Sequence, residues 1–261
     1  MMAVWSAVLL IVVPYELRRL GLLRKNFRGD VIPAGFGIYI LLWMIPVFAV
    51  WLPRAADQRL PLAYAMILIY GILGFVDDKW GSRQHSGLKG HLKGLLVDHT
   101  VTTGLIKAVG GLAVGVAAGL VVERNLLASL LAGVIIALMS NAFNLLDLRP
   151  GRAGALFLLF AVVLIAVASP IPVGLVLAII PAFIVYIPDS HGRVMLGDAG
   201  SNLLGALLGL SLILAVTSPA ARMAILITLI ALHIATEKLS LTELIERNPF
   251  LRRLDGLTGV R

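Results

Sequence analysis

Cysteine is absent from this 261-residue chain, so the fold holds together without disulfide staples and thiol usage does not reveal the redox compartment. Charge is scarce as well: 14% of the residues are charged and 59% are hydrophobic, with a mean hydropathy of +0.97. Soluble domains carry about 25% charged residues, which excludes that class. No inserted soluble domain, internal repeat or low-complexity tract interrupts the apolar pattern. The first apolar run, 1–14, lacks a basic leader and a small-residue cleavage site, so it reads as a retained helix rather than a signal peptide.

What is present is a series of apolar runs that approach the roughly 20 residues needed to cross a bilayer. Nine predicted segments fall at 1–17, 33–52, 61–76, 101–122, 127–145, 154–169, 171–187, 199–217 and 220–237. The expected fold is all-α, a polytopic transmembrane helical bundle. Its domains are a transmembrane body over 1–237 and an amphipathic tail over 238–261, which Pro249 would break. Basic residues sort by side. Arg18, Arg19, Arg24, Lys25 and Arg28 follow the first segment, Lys79, Arg83, Lys89 and Lys93 the third, Arg149 and Arg152 the fifth, and Arg193 the seventh. Only Arg54, Arg59, Arg124 and Arg222 stand on the other side. The positive-inside rule makes the crowded side cytoplasmic, with the N-terminus outside and the C-terminus inside. The net charge of +8 then faces anionic headgroups or anionic substrates and does not imply nucleic acid.

Three acidic motifs land on that crowded side: "GFVDDK" ending the third segment, "NAFNLLDLRPGRAG" (141–154) ending the fifth, and "MLGDAGSNLLG" (195–205) opening the eighth. Asp77, Asp78 and Asp147 sit at helix C-termini, where the macrodipole makes a carboxylate unfavourable by roughly 0.3–1 kcal/mol. Such placement calls for a cation, either a lysine or a divalent metal. Oxygen-only ligands suit Mg²⁺ or Mn²⁺, and Mg²⁺ commonly takes one or two carboxylates plus substrate phosphates. Asp198 lies between Gly197 and Gly200 at a helix start, where backbone N–H groups can face an anion. Together these residues describe a diphosphate–metal site.

Plainer readings stand beside these. Asp77 and Asp78 are also compatible with solvated carboxylates paired to Lys79, and Asn141 and Asn144 with hydrogen bonding between helices. Arg149 and Arg152 are either positive-inside anchors or a phosphate clamp. Lys89 reads as a headgroup lysine, and His85, His91 and His99 lack zinc-site spacing. His233 reads as a buried, hydrogen-bonded residue, and Lys107 is the one lysine inside a predicted helix.

In motif order and apolar setting, "GFVDDK", "NAFNLLD" and "LGDAGSNLLG" resemble the polyprenyl-phosphate N-acetylhexosamine-1-phosphate transferase superfamily (glycosyltransferase family 4). That superfamily includes the bacterial phospho-N-acetylmuramoyl-pentapeptide transferase and the enzymes that start teichoic acid or O-antigen synthesis. The resemblance implies transfer of a sugar-1-phosphate from a UDP-sugar to undecaprenyl phosphate, with release of UMP and a requirement for Mg²⁺. It implies a multi-pass inner-membrane enzyme of cell-envelope glycan synthesis whose site faces the cytoplasm. Catalytic roles fall on Asp77, Asp78, Lys93 and Asp147, and metal ligation on Asp198 and Asp78. Substrate binding falls on Asn141 and Asn144, joined by Arg149, Arg152, Gly197 and Gly200 from their charge and backbone. Two departures are visible. The family's Asp-Gly-x-Asp-Gly reads Asp147-Leu148-Arg149-Pro150-Gly151 here, and the family's histidine-rich motif has no counterpart in 236–261. The donor sugar is therefore not carried over, and a homodimer or a partner subunit stays open. Two alternatives also remain: a non-catalytic relative that binds polyprenyl phosphate or nucleotide sugar as a scaffold or regulator, and an anion transporter. The transporter fits less well, because the charges cluster at one face rather than the bilayer midplane.

Overall fold

Each of the nine apolar runs coincides with a helix in the computed structural model, which describes residues 1–54, 59–81, 97 and 100–260. Among the described residues the long helices are α1 (Met2–Arg19), α2 (Ile38–Trp51), α3 (Arg59–Trp80), α4 (Thr103–Val122), α5 (Leu126–Leu146), α6 (Arg152–Val167), α7 (Val173–Ser190), α8 (Gly197–Ala215) and α9 (Pro219–Lys238). Two short helices, α10 (Leu241–Arg247) and α11 (Pro249–Gly256), form the tail. Six of the nine, α3, α4, α5, α7, α8 and α9, are long and apolar enough to cross a membrane. At 1.5 Å per residue, α2 spans about 21 Å and α6 about 24 Å, short of the roughly 30 Å hydrocarbon layer. Outward faces carry Ile11, Val163, Val167, Phe183 and Ile227, all exposed. A belt of this kind is stable against lipid rather than water.

The all-α expectation holds for the bundle, with one small addition. Between α1 and α2 lies an antiparallel hairpin, β1 (Leu23–Lys25) with β2 (Val31–Pro33), in register Leu23 opposite Pro33. Its turn is organised by Asn26, whose Oδ1 accepts the N–H groups of Arg28 and Asp30, both at 2.9 Å. The predicted second segment began at residue 33, yet α2 starts at Ile38. The intervening chain instead bonds to the entry of α8: Phe36 N–H donates to the Met195 carbonyl (2.9 Å) and Gly37 N–H to that of Leu196 (2.8 Å).

Helix α8 is the hub. It is buried along nearly its whole length, with α3 and α5 packed against it. Close approach explains the glycines. A Cβ on Gly74 of α3 would fall 2.2 Å from the Asp198 carbonyl oxygen, and one on Gly205 2.6 Å from that of Met139. Helices α4 and α5 touch the same way, through Gly115 and Gly119 at four-residue spacing: a Cβ on Gly115 would fall 2.6 Å from the Gly133 oxygen and one on Gly119 2.3 Å from that of Ser129. Small residues let backbones meet where no hydrophobic effect drives helices together in lipid.

At the end remote from the acidic motifs, Arg222 joins three elements. It pairs with Glu123 at 2.8 Å and donates to the Val216 and Ile213 carbonyls at 2.6 and 2.9 Å, satisfying the open end of α8. The tail breaks at Pro249 as the sequence suggests. Asn248 caps α11, accepting from Phe250 N–H at 3.0 Å and Leu251 N–H at 3.2 Å.

Candidate active site

The hairpin, the ends of α3, α5 and α7, the start of α8 and one face of α4 meet around a cavity of about 630 Å³. Asp77, Asp78, Asp147, Asp189 and Asp198 line it, together with Asn144, Lys107, Arg24, Lys25 and Arg149. Helices far apart in sequence thus deliver their carboxylates to one place, as the motif pattern predicts.

Lys107 is at the centre. From α4 its ammonium pairs with Asp77 Oδ2 at 2.7 Å and with Asp198 Oδ2. Thr103, one turn earlier, donates to Asp77 Oδ1 at 2.5 Å. The Asn144 amide completes the ring when oriented to satisfy its neighbours: it donates to Asp198 Oδ1 at 2.7 Å and accepts from Lys107 at 3.1 Å.

Asp78 does something the sequence did not suggest. Its two oxygens accept the backbone N–H groups of Asp198 and Ala199, each at 2.9 Å. The opening of α8, expected to present those donors to a substrate anion, is therefore capped from α3. A carboxylate on a helix N-terminus is favourable, which offsets its unfavourable position at the end of its own helix. Gly197 makes the fit possible. It adopts φ +73°, and a Cβ there would lie 2.7 Å from Gly35 Cα and 2.8 Å from Asp78 Oδ2. Its N–H donates to Asp147 Oδ2 at 3.0 Å. Removal from water pushes the Asp147 carboxyl well above the usual carboxylate range, and the negative charges of Asp189, Asp198 and Asp78 add to the effect. Asp189, buried at the end of α7, accepts from Gly151 N–H at 2.9 Å and Leu196 N–H at 3.0 Å. It ties the α5–α6 turn to the entry of α8.

The structure does not gather every expected residue. Asn141 is exposed on α5 and does not line the cavity: it stands one turn further than Asn144 from the cavity end of the helix. Arg152 is buried and forks onto Asp255 of the tail, with Nε–Oδ1 at 2.6 Å and Nη2–Oδ2 at 3.0 Å, so it is not offered to the cavity. Gly200 packs on Gly37, whose Cα lies 2.8 Å from its would-be Cβ, and serves close approach rather than anion binding. Arg149 does line the cavity and pairs with Glu246 at 3.0 Å. Lys93, Lys89, His85, His91 and His99 lie outside the described residues. Sequence reasoning missed Lys107, Thr103, Asp189 and the hairpin's Arg24 and Lys25 as site residues. For Lys107 the signal was available: a lone ammonium in an apolar helix needs a partner.

Among the described residues no three Asp, Glu, His or Cys side chains converge in metal-ligand geometry. The donor set nonetheless fits a hard divalent cation completed by substrate oxygens. Five carboxylates line the cavity, and Lys107 pairs with two of them, a surplus of negative charge made of oxygen donors.

A family model described as glycosyl transferase family 4 matches residues 60–216, which include all five aspartates, Lys107 and Asn144. No curated protein matches the chain. More than half of the chain follows that model, and the matched part builds the acidic end of the bundle, so the chain belongs to glycosyl transferase family 4, the polyprenyl-phosphate hexosamine-1-phosphate transferases.

Proposed function

We propose that this protein transfers a sugar-1-phosphate from a UDP-sugar to a polyprenyl phosphate, undecaprenyl phosphate in a bacterial membrane, at the cytoplasmic face. The observation that carries this reading is the convergence of Asp77, Asp147 and Asp198 on a cavity that also presents Lys107, Arg24, Lys25 and Arg149. Carboxylates alone would repel a diphosphate, and cations alone would bind it without placing a metal. Both signs together suit a metal–diphosphate complex. In the reaction, an oxygen of the lipid phosphate attacks the phosphorus next to the sugar. The bridging P–O bond to the uridine phosphate breaks and UMP leaves with that oxygen. The lipid phosphate is largely ionised at neutral pH, so no strong base is needed.

This chain's residues then act mainly by position and charge. Lys107, held between Asp77 and Asp198, is placed to balance phosphate charge. Asp78 fixes the start of α8 so that Asp198 projects into the cavity. Among the described residues Arg149, Arg24 and Lys25 also line the cavity and would serve as donors to the diphosphate and nucleotide. Asp198 and Asp147 would hold Mg²⁺, with Asp78 behind Asp198; the ion supplies charge stabilisation on the phosphoryl oxygens when bound.

The test is direct. Purified protein is incubated with undecaprenyl phosphate, Mg²⁺ and a panel of UDP-sugars, and UMP release and lipid-linked product are measured. Metal-dependent product with one donor, reduced at least about a hundredfold in Asp198→Asn, is the expected result. Lipid or nucleotide binding without product from any donor would instead establish a non-catalytic relative. That second reading is favoured by one observation: Arg149, in the loop where Pro150 replaces the family carboxylate, is paired with Glu246.

A further inference from the structure

The C-terminal segment lies outside the region that matches the family, yet it is built into the edge of the site. Arg152, in the first turn of α6, is 3% exposed at its side chain, and both of its bonds to Asp255 use the planar guanidinium fork. An ion pair this buried is costly to break, because doing so would leave the Arg152 guanidinium as a buried charge without its carboxylate. Beyond Asp255 the chain continues along the α5–α6 turn. Val260 N–H donates to the Ser190 carbonyl at 2.8 Å. The Thr258 carbonyl oxygen sits 2.0 Å from where a Cβ on Gly151 would be, and the Pro150 oxygen 2.4 Å from that of Gly259. The turn so enclosed carries Asp147 at one end and Arg149 within it, both lining the cavity. The outer pair, Arg149–Glu246, is exposed and therefore weak and exchangeable.

We propose that residues 249–260 form a positioning element of this chain's site, with Asp255 as the positioning residue: through Arg152 it fixes the turn that places Asp147 and Arg149. An arriving donor phosphate displaces Glu246 from Arg149 while the Arg152–Asp255 pair keeps the turn in place. This inference rests on the transferase reading for its consequence, but its structural half stands apart from turnover.

The experiment uses the full chain in detergent. Amide hydrogen exchange is followed by mass spectrometry over 147–152, with 203–213 of the buried hub as internal reference. Asp255→Asn is expected to speed exchange over 147–152 at least tenfold and leave 203–213 unchanged. Asp255→Glu restores slow exchange in part, and Glu243→Gln, which touches only the exposed pair with Arg247, has no effect. Gly259→Val covers the case in which Asp255→Asn does not fold. It leaves the ion pair but pries the segment from Pro150 and Ser190, and the same exchange signature is expected. Wild-type exchange over the turn in the folded variants overturns the proposal.

With a donor that turns over, Asp255→Asn is expected to raise the donor KM at least fivefold and the lipid acceptor KM less than twofold. A purely structural defect lowers the active fraction and leaves both constants alone, so two unchanged KM values also overturn it. If no donor turns over, faster exchange still upholds the positioning contact while the transferase reading fails by itself.

Discussion

Removing the Lys107 ammonium leaves Asp77 and Asp198 without the cation that now joins them. Lys107→Met is therefore expected to lower kcat by about 10²–10³-fold, the range for loss of one charge-stabilising donor. The same substitution raises local repulsion, so the gain in Tm on adding Mg²⁺ should be larger than in the unaltered protein. Wild-type turnover in Lys107→Met would remove Lys107 from the site. Gly197→Ala tests the backbone beside it. The left-handed conformation costs a side chain roughly 1–2 kcal/mol, and the contacts with Gly35 and Asp78 add an overpacking cost of about 1–3 kcal/mol. Thermal unfolding should show that loss, together with lower transfer as the Asp78 cap shifts. At this scale the site was partly legible. Asp77, Asp78, Asn144, Asp147 and Asp198 meet as their motifs suggest. Asn141 and Arg152 do not: Asn141 stands a turn back along α5 from the cavity end, and a tail carboxylate a hundred residues away holds Arg152. Asp189 was passed over because it stands alone, without a glycine or asparagine pattern around it.

Elements transmit to the site through their packing. Lys107 rides on α4, and α4 is seated by Gly115 and Gly119 against α5. Gly115→Leu is expected to push α4 outward and shift Lys107, which lies about 12 Å away along the same helix, lowering both thermal stability and transfer. Arg222→Ala offers the contrast. It breaks a largely buried pair and uncaps α8 at the far end, so a loss of about 3 kcal/mol should appear in unfolding while the donor KM stays fixed. Were the donor KM to move with Arg222→Ala, the far end would be coupled to the cavity, contrary to this reading. Helices were the most legible level, since long apolar runs in a charge-poor chain have few other uses. The hairpin was not. Pro33, Ala34, Gly35 and Phe36 extend the apolar run of α2 by composition, but the hairpin pairing of Pro33 and Ala34 with Leu23 and Leu22 and the backbone bonds to Met195 and Leu196 keep them out of the helix.

The proposed reaction works only in one orientation. A nucleotide sugar is cytosolic and a polyprenyl phosphate is embedded in the bilayer, so a cavity that joins them would have to open at the cytoplasmic surface. The lopsided distribution of basic residues predicts that orientation by the positive-inside rule, and the hairpin, the α5–α6 turn and the tail, all rich in arginine, gather at the cavity end. The lack of cysteine makes this measurable, because any introduced thiol is the only one present. Single substitutions Arg253→Cys in the tail and Arg124→Cys in the α4–α5 turn, both exposed positions, are expected to behave oppositely toward a membrane-impermeant maleimide. Arg124→Cys should label in intact cells stripped of their outer layers, and Arg253→Cys only after the membrane is opened. The reverse pattern would put the aspartate cavity on the side that lacks nucleotide donors, and the transferase reading would fail however well the side chains fit it.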